Sequence, residues 1–331
     1  MSFHTNMMND LVSIIIPAYN ASARIKIALE SVIAQDYMNI EVIAVDDASN
    51  DNTGKIAHEV LSRSSFTYRI ITHERNKGVS AARNTGIESA HGKYICFMDA
   101  DDIIRENFIS CLHSAIVKGE YDISFCGLTN RFTDGRPDKN LHSARENHNI
   151  SAENLIIRGN VPSVYCCMYS REFIAHHNLR FHEGCISGED IEFVMKALCM
   201  AGKISSTPEC LYIYIHHNSM GSETGDKITR YASNTGAIMR TAEYLAEKSR
   251  SESVRRFAKN ILMPRGAIMN FTLQAMKGNR EIYSSLLHDG NKIEILRRAI
   301  SLYTLTKKPE VFFKAFMILH MPGIYYRIRR K

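Results

Sequence analysis

Tyr94-Ile95-Cys96-Phe97-Met98-Asp99-Ala100-Asp101-Asp102 joins an apolar run to three carboxylates within four positions. The run has the length and composition of a buried strand. Its acids then sit at the strand exit, where Asp99 and Asp101 can turn toward one edge of a sheet. Like charges at that range repel unless a cation or hydrogen-bond donors offset them. Two chemistries meet the demand. A hard divalent ion such as Mg²⁺ or Mn²⁺ takes carboxylate oxygens and bridges to phosphates. Alternatively, the stretch is a solvated turn in which Asp101 or Asp102 caps the next helix. The cluster alone leaves both open.

Working outward, the same grammar repeats. Leu11–Ile16, Ile40–Val45 and Tyr68–Thr72 are further apolar, β-rich runs. Between them lie segments of helical spacing, Ser22–Gln35, Asn52–Ser62 and Val79–Ala90. This alternation predicts an open α/β sheet, mostly parallel and flanked by helices. Ligands of such sheets bind at the carboxyl ends of the strands. Pro17-Ala18-Tyr19-Asn20, Asp46-Asp47 and Asp99-Ala100-Asp101 all fall there, so three separate strand exits converge on one rim. Beyond Asp102 the spacing predicts helices at Asn107–Lys118 and Glu189–Gly202. It predicts strands at Tyr121–Leu128, Val164–Tyr169 and Cys210–His216, and a polar loop from Thr129 to Asn149. From about Ile228 the pattern is helical: Tyr231–Lys248, Val254–Met276, Ile293–Thr304 and Val311–His320.

Charge divides along the chain. From Gly225 onward there are 21 Lys and Arg against 8 Asp and Glu, a net +13, whereas the first 224 residues carry −7. An acidic front and a basic tail imply surfaces with different partners. No run approaches the roughly 18 apolar residues of a spanning helix. The polar N-terminus lacks a signal-peptide pattern, so the expectation is a cytoplasmic protein. Eight scattered cysteines without a CxxC pair read as buried thiols, not a zinc site or disulfide framework.

Four motifs in order, Val12-Ser13-Ile14-Ile15-Ile16-Pro17-Ala18-Tyr19-Asn20, Val45-Asp46-Asp47-Ala48-Ser49-Asn50-Asp51, Asn76-Lys77-Gly78-Val79-Ser80-Ala81-Ala82-Arg83-Asn84 and Asp99-Ala100-Asp101-Asp102, closely resemble those of family 2 inverting glycosyltransferases. The likeness covers roughly Leu11 to Ser222. It implies a GT-A fold for residues 1–224, with a nucleotide-binding part at 11–102, an acceptor part at 103–224 and a helical basic extension at 225–331. It also implies a nucleotide-diphosphosugar donor, UDP-sugar above all, a divalent cation (Mn²⁺ or Mg²⁺), and a single in-line displacement.

The resemblance assigns roles residue by residue. Pro17, Ala18 and Tyr19 would line the nucleotide, and Asp47 would accept the uracil N–H. The local alternative for Asp47 is holding the Ser49-Asn50-Asp51 turn. Arg83 would approach the nucleotide, or pair internally with Asp99 or Asp47. Asp99 would contact the ribose and Asp101 the metal, leaving Asp102 to cap the next helix. Asp190, with Glu189 beside it, resembles the base that deprotonates the acceptor hydroxyl; helix capping is the local alternative. His216, or its neighbour His217, stands where relatives place a further metal contact.

The tail matches no family motif. Phe312, Phe313, Phe316 and their neighbours precede Tyr325-Tyr326-Arg327-Ile328-Arg329-Arg330-Lys331, a composition suited to an anionic membrane surface. A helical cap packed on the chain, or a homo-oligomer contact, fits equally. No base-reading module is present, so nucleic acid is excluded as the expected partner. The expected function is transfer of a sugar to a glycan or lipid-linked acceptor in bacterial lipopolysaccharide, O-antigen or capsule synthesis, at the inner face of the cell membrane. The competing readings are a sugar-1-phosphate nucleotidyltransferase, which lacks its glycine-rich loop here, and a sugar-nucleotide-binding protein without catalysis. A dehydrogenase is disfavoured because GxGxxG is absent.

Overall fold

The computed structural model describes residues 10–141, 147–148, 150–217, 226–301 and 309–330. These fall into two compact units. One takes the residues through Gly184 and those from Met200 to 217; the other takes Cys185–Cys199 and those from 226 onward. Segment 185–199 therefore groups with the C-terminal helices, although it lies inside the expected catalytic stretch.

The first unit is built on one sheet of β1 (Val12–Ala18), β2 (Ile40–Asp46), β3 (Thr67–Thr72), β4 (Tyr94–Phe97), β5 (Ile103–Ile104), β6 (Ile123–Phe132), β7 (Lys139–Leu141), β8 (Asn147–His148), β9 (Cys167–Ser170) and β10 (Ile204–His216). The path through it is β3-β2-β1-β4-β9-β6-β10-β5, with β7 on β6 and β8 on β10. β1, β2, β3 and β4 are parallel, as the alternation predicts. β9 then runs antiparallel to both β4 and β6, so the sheet is mixed, although β6 and β10 again run in the direction of β1 to β4. β1 and β2 are buried along their whole length, as covering a parallel sheet on both faces requires. Their registers align Ala18 with Asp46, and Asp46 with Thr72. Three strands therefore end at one level.

Helix Val79–Ser89 packs on β1 and β2. It comes so close that a Cβ at Gly86 would sit 2.2 Å from Ile15 Cγ2, so only glycine fits there. Apolar residues of helix Ile25–Ile33 (Ile25, Ala28, Leu29, Val32) join β1 and β2 residues in the core. The expected loop at Thr129–Asn149 is partly sheet: β6 continues to Phe132, and β7 and β8 pair with β6 and β10. Val164–Cys166 is a 3₁₀ turn entering β9. The cysteines are free and most are buried. No described helix is long and apolar enough to cross a membrane.

At the opposite, amino-terminal edge of the sheet, Glu41 is buried and its carboxylate accepts from Ser13 Oγ, the N–H groups of His91 and Gly92, and Arg69. Burial pushes its pKa up, but those four donors outweigh it and hold the carboxyl below its ordinary 4.5. A depressed folded-state pKa adds stability above the unfolded value and loses it as pH falls through the folded one. Glu41→Gln should therefore lower stability by about 2–3 kcal/mol at neutral pH. The deficit should shrink as pH drops below 4.5. Urea midpoints across pH check this; a deficit independent of pH would count against the charge as its source.

The second unit is helical. Helix Lys227–Lys248 packs against helix Met263–Met276. A further core gathers Phe271, Tyr283, Leu296, Ile318, Tyr325 and Tyr326. The basic tail forms helices Pro309–His320 and Pro322–Arg330, which pack into that core while leaving Phe313, Ile324 and Ile328 exposed. Helix Arg280–His288 escaped the sequence reading, being short and flanked by Gly278 and Asp289.

Candidate functional site

The exits of β1, β2 and β3 are tied into one rim. Asn20 N–H donates to Ser49 Oγ (2.9 Å), Asn50 N–H to Asn20 Oδ1 (2.9 Å) and Ala21 N–H to Thr53 Oγ1 (2.8 Å). Ala48 has φ +60, a left-handed backbone that costs a non-glycine residue on the order of 1–2 kcal/mol. It follows Asp46 and Asp47, whose jobs differ. Asp46 Oδ1 accepts Ser49 N–H at 2.9 Å and so fixes the turn. Asp47, 2% exposed, instead faces the β3–helix connection. Its Oδ1 meets His73 Nδ1 (2.6 Å) and accepts Lys77 N–H (2.9 Å), while Oδ2 accepts Gly78 N–H (2.7 Å). A carboxylate has roughly four lone-pair positions, so Asp47 keeps one, on Oδ2. Pro17 and Ala18 are buried in β1, and the Ala18 carbonyl already accepts Asp47 N–H at 2.8 Å; Tyr19 is 42% exposed.

Arg83, 3% exposed, donates to Asp99 Oδ1 at 2.8 Å and lies 5.2 Å from the Phe181 ring centroid. The internal pairing considered for Arg83 is thus present, with Asp99 as partner. Asp101 points elsewhere: its Oδ2 is 3.5 Å from Arg24 and 3.7 Å from His217 Nε2. That imidazole nitrogen is buried and makes no hydrogen bond among the described residues. Burial, then the charge of Asp99, push the Asp101 carboxyl up against the pull of His217 and Arg24. The cluster is short of positive charge, which is what a bound cation would supply.

Two expectations change here. Asp102 does not cap a helix. It is 1% exposed, accepts from Tyr212 Oη (2.8 Å) and Ile215 N–H (2.9 Å), and burial followed by Asp99 pushes it up to about 8. The chain continues into β5, so no helix start is there to cap; the next helix begins only at Phe108. His216 is turned away from the acids, bonding Asn130 Oδ1 (2.8 Å) and stacking on Phe132 (4.6 Å). Successive side chains leave an extended backbone on opposite sides, so it is His217 that meets Asp101. Asp101 and His217 are the pair that could share a cation; no described set of three His, Cys, Asp or Glu could hold one unaided. Two donors suffice where phosphate and water complete the shell. Sequence reasoning missed His73, Arg24 and Tyr212. Only for His73 was there a signal, its position just past β3.

In the second unit, Glu189 and Asp190 open helix Glu189–Met200. Gly188 precedes them with φ +90, and a Cβ there would sit 2.7 Å from Asn234 Oδ1. Asp190 Oδ1 accepts Ile191 N–H at 2.7 Å, and the side chain is half-buried. One turn on, buried Glu192 anchors the helix through Arg240 (2.7 Å) and Lys196 (2.6 Å).

The family model described as glycosyl transferase family 2 matches residues 13–177. EpsJ of Bacillus subtilis, a glycosyltransferase, is 32% identical over 62% of this chain and 61% of its own; this chain thus spans about three fifths of that relative. A glycosyltransferase of Haemophilus influenzae is 31% identical over 57% of this chain and 72% of its own. Among solved structures, S. aureus TarS 1–349 in complex with UDP-GlcNAc aligns with a TM-score of 0.71 at 20% identity, covering 97% of this chain and 90% of that one. That likeness establishes the fold.

Proposed function

This chain belongs to glycosyl transferase family 2, and on that premise we propose that it moves a sugar from a UDP-sugar to a glycan or lipid-linked acceptor in bacterial surface-polysaccharide synthesis. The observation that carries the reading is the row at the strand exits: Asp47 with one open lone pair, Asp99 fixed by Arg83, and Asp101 facing an unbonded imidazole. Asp47 accepts the uracil N–H on Oδ2. Pro17 and Ala18 offer backbone and Tyr19 its ring face to the nucleotide. Arg83 holds Asp99 toward the ribose hydroxyls. Mn²⁺ or Mg²⁺, held by Asp101 and His217, would offset the charge that gathers on the departing diphosphate. Asp190 takes the proton of the acceptor hydroxyl as its oxygen bonds the anomeric carbon and the bond to UDP breaks. Glu189 orients the acceptor. The protein works at the cytoplasmic face of an anionic membrane.

The test is a screen of UDP-sugars with Mn²⁺ for release of UDP. Turnover should depend on one sugar and on an acceptor. Pyrophosphate formed from UTP and a sugar phosphate would replace this reading with nucleotidyl transfer. Binding without turnover, acceptor supplied, would leave a sugar-nucleotide-binding protein.

The two histidines give a sharper result. His217→Ala should raise the Mn²⁺ concentration for half-maximal rate on the order of 10- to 100-fold. His216→Ala should leave it unchanged, because that ring is engaged with Asn130 and Phe132. The opposite pattern would return the ligand role to His216.

A further inference from the structure

The second unit contains a cleft of about 870 Å³ that the transfer reaction does not use. Arg265, Lys314, Arg329 and Arg330 line it, from helices Met263–Met276, Pro309–His320 and Pro322–Arg330. None of the four has an ion-pair partner among the described residues. The one acid in the lining, Asp226, is spent on its own helix start, accepting from the N–H groups of Ile228 and Thr229 and from the Thr229 hydroxyl. With Lys227, five cations thus face a single carboxylate in this lining, an excess of positive charge that favours a multiply charged anion. Hydroxyls complete the polar part: Tyr231 and Thr272 line the cleft, and Thr272 Oγ1 lies 2.6 Å from Tyr325 Oη.

The rest of the cleft is apolar, with Ile268, Met269, Met276 and Ile328. Apolar side chains also stand exposed beside it. Ile324 and Ile328, one turn apart on the last helix, are 51% and 57% exposed. Phe313 on the preceding helix is 62% exposed. A free inorganic anion would use the cations and leave this apolar rim without purpose. An amphiphile uses both.

We infer that this cleft seats the phosphate headgroup of an anionic phospholipid, with Phe313, Ile324 and Ile328 entering the acyl boundary of the membrane. The inference rests on the membrane part of the function proposed above. Its readout, vesicle binding, does not depend on glycosyl transfer, so either can fail without the other.

Co-sedimentation of the full chain with vesicles provides the test. Phosphatidylcholine vesicles containing phosphatidylglycerol should retain the protein, and phosphatidylcholine alone should not. R265Q/R329Q should bind the anionic vesicles about 25-fold more weakly, at roughly fivefold per lost charge. A control that removes the same charge from the exposed helix Thr53–Leu61 and its flank, K55Q/R63Q, should bind as the parent does. Donor hydrolysis and circular dichroism should be unchanged in both variants, which separates lost binding from lost fold. Equal retention on neutral vesicles, or equal losses in the two double variants, would overturn the proposal. So would binding of inorganic phosphate, RNA or a second copy of the chain by a protein that ignores anionic vesicles.

Discussion

Asp190→Asn should lower the rate of sugar transfer by about 10²- to 10⁴-fold while leaving the affinity for UDP-sugar unchanged. The substitution keeps the size and the hydrogen-bond acceptor that serves Ile191 N–H, so the helix start survives. What it removes is basicity. In the native chain the carboxylate lies in the first turn of helix Glu189–Met200. It is anchored from below by the Glu192 pairs with Arg240 and Lys196. A hydroxyl is a weak nucleophile until a positioned base accepts its proton, and an amide cannot do so. The expected signature is a fall in kcat with donor KM held. A loss of less than tenfold, or a matching rise in donor KM, would remove Asp190 from the proton transfer and leave it as a helix cap.

Asp101→Asn should cost about 10²- to 10³-fold in kcat/KM, the scale of losing one electrostatic contact to a developing charge. Without divalent cation, however, the variant should be no less stable than the parent at neutral pH. Burial and Asp99 raise the Asp101 pKa above its ordinary 3.8. For an acid raised in the folded state, stability is fullest below the unfolded value and declines as pH rises through the folded one. The ionised carboxylate is therefore a strain on the cation-free protein, and the amide relieves it. Added Mn²⁺ should raise the thermal midpoint of the parent and leave that of the variant alone. A variant that is destabilised without metal would show that Arg24 and His217 already compensate the charge in full.

The two substitutions separate the roles that one stretch of acids and one distant pair were expected to divide. The front of the sheet was legible because local and global signals agree there. β1 to β4 read as apolar runs of strand length, with Ile25–Ile33 and Val79–Ser89 between them at helical period. β10 was harder. Only Cys210–His216 reads as strand, whereas the strand begins at Ile204 and crosses Pro208. Its pairing with β6 slips register between Ser206 and Cys210, so the irregularity that hides it in sequence is accommodated by a bulge. Val254–Met276 reads as one helix. Pro264 cannot donate to the preceding turn, and residues Ala258–Leu262 take a π-helical path ahead of it.

The candidate site divides in the same way. Which acids stand at strand ends is a matter of chain order, since a strand's period and its exit are local properties. Asp47, Asp99 and Asp101 were therefore identifiable before any packing was known. What each carboxylate touches is a matter of long-range geometry: His73 on Asp47, Arg83 on Asp99, and Tyr212 from more than a hundred residues away on Asp102. Neighbouring residues with the same chemistry were assigned to opposite duties only by the fold. His217 faces Asp101 while His216 stacks on Phe132, and Asp46 holds a turn while Asp47 keeps an open lone pair. Residue type and spacing specify which groups are available. The direction in which each one points is set by the elements packed around it, and that information is not local to any motif.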